Sequence, residues 1–289
     1  MFLGTFAFAE FKKSTCASVV SHDFAQVFLE SGVSCDTAEA IQRVLNQIKD
    51  FAGKEPPLTL FVQSKSYNSF GTYGRLIVLN QQQQAWGGIR PQSQNEKIWA
   101  HEIGHSFFST WLANDFEAIQ GFRDYMKASG EIQTRKQDPN FDTTKELAPK
   151  WKSDFARARD IQVPYSELFA DLIAVLYAND VMAMAQAMLA PAMPDAESAK
   201  TSYYAFTGKY ALSAWDQSEV HYFFAPTRAY IGEHLLKFPM DTKQKTLVVQ
   251  KVYQACLGEI QKYWKSSKAL PSSAAANESL IQTLSTLDF

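Results

Sequence analysis

The chain has 289 residues, 46% of them hydrophobic and 20% charged, enough to bury a substantial core as one large domain or two lobes. Its formal net charge is -2 and no block of Lys or Arg stands out, which speaks against nucleic acid or an anionic membrane as partner. No apolar run reaches the roughly 18 residues of a spanning helix, so no transmembrane segment is expected.

Residues 1–9 are apolar and end in Ala7-Phe8-Ala9, the pattern of a signal-peptide remnant without its basic start. On that reading the protein is secreted or periplasmic; the alternative is a first buried element of a cytoplasmic protein. In an exported chain Cys16 and Cys35 would close a short disulfide loop and leave Cys256 as a buried thiol. Residues 10–53 read as helical, with Asp36 and Glu39 as a capping box and Ile41, Val44, Leu45 and Ile48 on one face. Gly53 and Pro56-Pro57 end that helix. Residues 58–63 and 75–80 are expected strands. The second is either an edge strand that pairs with an extended substrate or an ordinary core strand. The glutamines at 81–84 and Gly87-Gly88 read as loop.

The stretch that carries chemistry comes next: His101-Glu102-Ile103-Gly104-His105, an HExxH motif. On a helix, residues four apart share a face, so His101 and His105 can grip one metal ion. Two neutral imidazoles with an oxygen donor suit Zn2+. Glu102, one step round the helix, can then serve as general base toward a water at the metal. Trp99, Ala100, Ile103, Phe107 and Phe108 would bury the other faces. The motif still needs a third ligand.

Residues 112–164 form a charged connector, with helices expected at 115–128 and 144–159. The segment 164–177 reads as a strongly apolar helix carrying two acids, Glu167 and Asp171, on one face. Acids in such a setting are costly to bury unless paired or metal-bound. Glu167 is therefore the expected third ligand, and Asp171 the acceptor for a ligand histidine's second N–H. Asp115 and Glu117 are the competing acids. Farther on, Met182, Met184 and Met188 read as core, 243–265 as a helix, and 268–277 as a loop before a short last helix. His221 stands apart, because a zinc peptidase needs a donor to the oxyanion and a carboxylate-held histidine suits that role. Its partner would be Asp216 or Glu219.

Taken together, His101-Glu-Ile-Gly-His105, Glu167-x-x-x-Asp171 and Asp216-x-x-x-x-His221 resemble the motifs of the gluzincins, specifically the thermolysin-like metallopeptidases. The resemblance implies His101, His105 and Glu167 as zinc ligands, Glu102 as general base and Asp171 as the partner of His101. It also implies His221 as transition-state donor, oriented by Asp216. The 62 positions between His105 and Glu167 exceed the family's spacing. Ala158 stands where the family has a tyrosine, and no arginine lies between Glu167 and His221 to clamp a substrate carbonyl; Arg228 is the substitute to consider. Trp111 occupies the place of the third histidine in HExxHxxGxxH, which excludes that other zincin group.

The expected fold is α+β, a zincin-like two-lobe arrangement. Residues 10–111 would form an N-terminal lobe with a small β-sheet and the motif helix, and 112–289 a mostly helical C-terminal lobe. The expected function is zinc-dependent hydrolysis of peptide bonds in a peptide or protein substrate. The alternatives are a zinc-dependent binding or toxin-like protein with a structural metal site, and a non-peptidase zinc hydrolase.

Overall fold

Residues Ala25 and Leu29 are buried and Val27 between them is partly buried, while Gln26 and Phe28 are exposed, an alternation with the period of a strand. In the computed structural model, which describes residues 11–12, 21–22, 25–53, 58–66, 70–71, 76–85, 88–115, 149–189, 200–208, 218–266 and 270–287, Ala25–Glu30 is accordingly a strand. The helix expected over 10–53 is thus confined to its second half, and strands fill the described parts of the first. Strands β1 (Phe11–Lys12) and β2 (Ser21–His22) pair antiparallel with β3 (Ala25–Glu30). Helix α1 (Cys35–Ala52) starts one residue before the expected capping box, because the Ser34 hydroxyl, not Asp36, accepts from the Thr37 N–H. Residues 1–10 and Cys16 lie outside the described residues. Cys35 is disulfide-bonded, and Cys256 is a free, buried thiol.

Three parallel strands form the centre of the sheet: β3, β4 (Leu58–Ser66) and β6 (Leu76–Ala85). Leu60, Val62, Ile77 and Leu79 are fully buried there. The glutamine run is strand rather than loop, since Gln82 and Gln83 stand in register with Lys65 and Ser66 of β4 and continue the ladder. The other side of β6 is met by β5 (Phe70–Gly71) at Ile77 and Val78 and by β7 (Gly88–Ile89) at Gln84 and Ala85. The strand read as a substrate edge is therefore covered over that first stretch.

Helix α2 (Gln92–Asp115) lies on β6, where Trp99 Nε1 donates to the Asn80 carbonyl at 3.1 Å and Asn95 Nδ2 to that of Gln81 at 3.2 Å. Helix α3 (Pro149–Ala178) joins the described part of the helix expected at 144–159 to the one expected at 164–177, with Pro164 inside it. A mid-helix proline costs about 3 kcal/mol. Dense burial offsets that: every residue from Pro164 to Leu176 is buried. Residues 116–148, including Glu117 and the helix expected at 115–128, are outside the described set. Helix α4 (Ala183–Met188) and a 3-10 turn (Ser202–Tyr204) lead to α5 (Ala225–His234). The last helices are α6 (Thr242–Lys265), capped by an Asp241–Gln244 box, and α7 (Ser273–Thr286). Helix α7 starts inside the expected loop because Ser272 caps it. The molecule is thus mixed, mostly helical among its described residues, with a small parallel sheet. Among those residues no helix is long and apolar enough to cross a membrane.

Aromatic packing fixes α2 against α3 and α6. Trp111 makes edge contacts with Phe169 (centroids 5.6 Å) and Tyr253 (5.1 Å), so the residue at that position serves the core. Tyr253 also donates its hydroxyl to Asp115 at 2.9 Å, which occupies one of the two competing acids at the end of α2.

Candidate metal centre

Gly104 decides how near α3 can come to the motif. A Cβ there would sit 2.8 Å from the Ala170 Cα and 3.1 Å from the Ile173 Cβ, closer than side chains pack. The missing Cβ lets the two helix backbones touch, and Glu167, one turn from Ala170, reaches the two histidines. His101 Nε2 and His105 Nε2 are 3.0 Å apart, with rings at 87° to each other. Glu167 Oε2 is 3.5 Å from His101 Nε2, and Oε1 is 3.6 Å from His105 Nε2. Tetrahedral zinc with bonds of about 2.0–2.2 Å separates its ligand atoms by about 3.3–3.5 Å, which these distances bracket. Ligand atoms of these three residues all lie within 4.8 Å of one another, and His221 does not join the group.

The donor set has a further mark of a cation site. Glu167 Oε2 is buried without a hydrogen-bond partner, facing the His101 imidazole. An orphaned carboxylate oxygen is unfavourable in a dry setting, and a cation between it and the histidines would resolve it.

Both histidines are held from behind. His101 Nδ1 faces Asp171 Oδ1 at 2.8 Å, the pairing that the resemblance implied. His105 Nδ1 meets the Ser166 hydroxyl at 2.7 Å, a contact that sequence reasoning missed. Its only signal was adjacency to Glu167, since neighbouring helix residues can reach successive partners on the facing helix. Such contacts orient each ring so that the two Nε2 atoms face each other and Glu167, where a metal would be held. Burial opposes charge on His101, yet the Asp171 hydrogen bond, with the charges of Asp171, Glu167 and Glu102, raises it to about 9. His105 is lowered to about 4, chiefly by burial.

A pH dependence follows from the raised value. At neutral pH the metal-free centre carries a proton on His101 that a metal must displace, so binding releases it. Apparent zinc affinity should rise about tenfold per pH unit from 6 to 8 and level off near the His101 value. Calorimetry in buffers of different ionisation heats measures that proton; a pH-independent affinity would contradict the arrangement.

Asp171 is itself braced. Arg228 Nε donates to Asp171 Oδ2 at 2.7 Å, and Nη2 lies 2.5 Å from the same oxygen, with both side chains fully buried. Considered from sequence as a substrate clamp, Arg228 instead neutralises the carboxylate behind His101. Burial would push Asp171 up, but the Arg228 charge and the His101 bond hold it below the ordinary carboxylate value.

His221 stands beside the cluster, its Nε2 3.8 Å from Glu167 Oε1 and its Nδ1 2.6 Å from Glu219 Oε1. Of the two partners left open by the residues, Glu219 makes the contact; Asp216, the one implied by the resemblance, lies outside the described residues. The backbone around His221 is tied down by α7, where Ser273 Oγ and Asn277 Nδ2 both donate to the Phe223 carbonyl. Glu102, next to His101 on α2, is partly exposed. A scan against protein-family models and searches of curated proteins and of solved structures found no match to this chain.

Proposed function

We propose that this chain is a zinc-dependent peptidase of the gluzincin type, with the motif helix at the join of a two-lobe, zincin-like arrangement. The observation that carries the reading is the convergence of His101, His105 and Glu167 with His221 beside them but outside their group. Three protein ligands leave a fourth position for water or substrate, the pattern of catalytic rather than structural zinc. When bound, Zn2+ would supply Lewis acidity, polarising a carbonyl and acidifying a water.

The chain's own residues supply the rest. Glu102 takes the proton of the attacking water and passes it to the departing amine. His221, held at Nδ1 by Glu219, presents Nε2 toward the cluster and donates to the oxygen that becomes negative as the carbonyl carbon turns tetrahedral. Asp171, with Arg228 behind it, and Ser166 keep the two ligand rings aimed. The Cys35 disulfide supports an oxidising compartment, in keeping with a secreted or periplasmic protein.

The test is reconstitution. Chain stripped by a chelator should bind one zinc per molecule and, with it, cleave bonds in a mixture of unstructured peptides. Fully loaded protein that cleaves none of them, or Glu167→Ala protein that binds zinc as tightly as the parent, would overturn the proposal.

A further inference from the structure

Glu219 orients the His221 ring but cannot place it. Both residues belong to one turn over 218–224, which closes on itself. There the Tyr222 and Phe223 N–H groups donate to the Glu219 carbonyl at 3.0 and 2.9 Å, and that of Ala225 to the Tyr222 carbonyl at 2.9 Å. The turn could shift as a unit with all of these bonds intact. The distance from His221 to the metal cluster has to be set from outside it.

The Phe223 carbonyl carries the turn outward. It accepts from Ser273 Oγ at 2.6 Å and from Asn277 Nδ2 at 2.8 Å, both on α7. The same Asn277 amide accepts at Oδ1 from the Thr227 N–H at 2.9 Å and from the Thr227 hydroxyl at 2.6 Å. Thr227 lies in the first turn of α5, whose N-cap is Phe224, a residue with no side-chain acceptor. A side chain 50 positions away therefore supplies the cap that the local sequence lacks. Asn277 also donates to the Ser273 carbonyl at 2.7 Å, and it is 3% exposed, so water is poorly placed to replace it.

The next residue gives that first turn a fixed reference. Arg228 is bound to Asp171, which stands behind His101. One buried amide thus spans the corner between the His221 turn and the brace of the metal cluster. We infer that Asn277 is a positioning residue of the centre, setting where His221 stands relative to His101, His105 and Glu167. Through it α7 becomes part of the working site. The inference rests on the proposed peptidase reading for what His221 does to a substrate, not for where His221 stands.

Two measurements test it. In zinc-loaded protein with isotope-labelled histidine, the His221 ring signals are identified by their loss in His221→Ala. Asn277→Ala should shift those signals while leaving zinc affinity as in the parent. On a peptide that the wild type cleaves, Asn277→Ala should lower kcat about tenfold with little change in KM. Made in His221→Ala protein, the same substitution should cost nothing further, whereas a general loss of packing would add to the His221→Ala effect. Should Asn277→Ala fail to fold, Ser273→Ala removes one of the two donors to the Phe223 carbonyl and should give the same pattern at about threefold. Unmoved His221 signals in whichever variant folds, or a rate loss that adds to that of His221→Ala, would overturn the inference. If the His221 signals follow Asn277 while loaded wild-type protein cleaves nothing, the peptidase reading alone falls.

Discussion

Glu102→Gln is expected to bind zinc as tightly as the parent and to lose about 10³-fold or more of its peptide hydrolysis, within the range and beyond that a positioned acid–base group supplies. The side chain keeps its size and its place on α2, and it is not one of the three residues whose ligand atoms converge. What the amide cannot do is accept a proton from water and return it to an amine. The measurement pairs metal content with initial rates on a peptide cleaved by the wild type. A fully active Glu102→Gln protein would sink the mechanism, whereas loss of both zinc and activity would mean that Glu102 has a structural part.

Asp171→Ala should be the most damaging single change to stability at the centre. Asp171 and Arg228 are both at 0% exposure, and removing one partner of a buried pair typically costs about 3–5 kcal/mol. The cost comes from the stranded guanidinium rather than from the lost attraction. A paired change to apolar residues, Asp171→Leu with Arg228→Met, should therefore recover much of the stability seen in denaturant unfolding. Zinc affinity should not recover with it, because His101 Nδ1 would still lack the oxygen now 2.8 Å away. Loss of such an outer contact typically weakens a metal about 10–100-fold. A double variant that is stable and binds zinc like the wild type would show that Asp171 serves only to neutralise Arg228. The pH sign is set by the lowered Asp171 value. The contribution of the pair is present above the ordinary carboxylate pKa and is lost as acid protonates Asp171.

Much of the centre could be read without coordinates because its geometry is helical. Residues four apart share a face wherever the helix goes, so 101/105 and 167/171 were pairs on sight. Elements whose identity depends on partners were harder. Residues 25–30 and the glutamines at 81–84 are strand because β4 lies alongside both, which no local pattern announces. The cap of α1 at Ser34 and the start of α7 at Ser273 turned on single side-chain hydrogen bonds.

By itself, then, the sequence determined a histidine pair on one helix face with an acid between its members, an acidic pair on a second apolar helix, and a histidine with candidate carboxylate partners. Only the tertiary structure decided how they meet. Glu167 lies 62 positions beyond His105 and reaches it because Gly104 lets two helix backbones touch, a contact made across space and invisible along the chain. The contact of Glu219 with His221 was decided there too, a ring nitrogen and an oxygen standing 2.6 Å apart. Arg228 became the brace of Asp171 for the same reason. A charge's role is set by what is packed against it, and that neighbour is supplied by the fold.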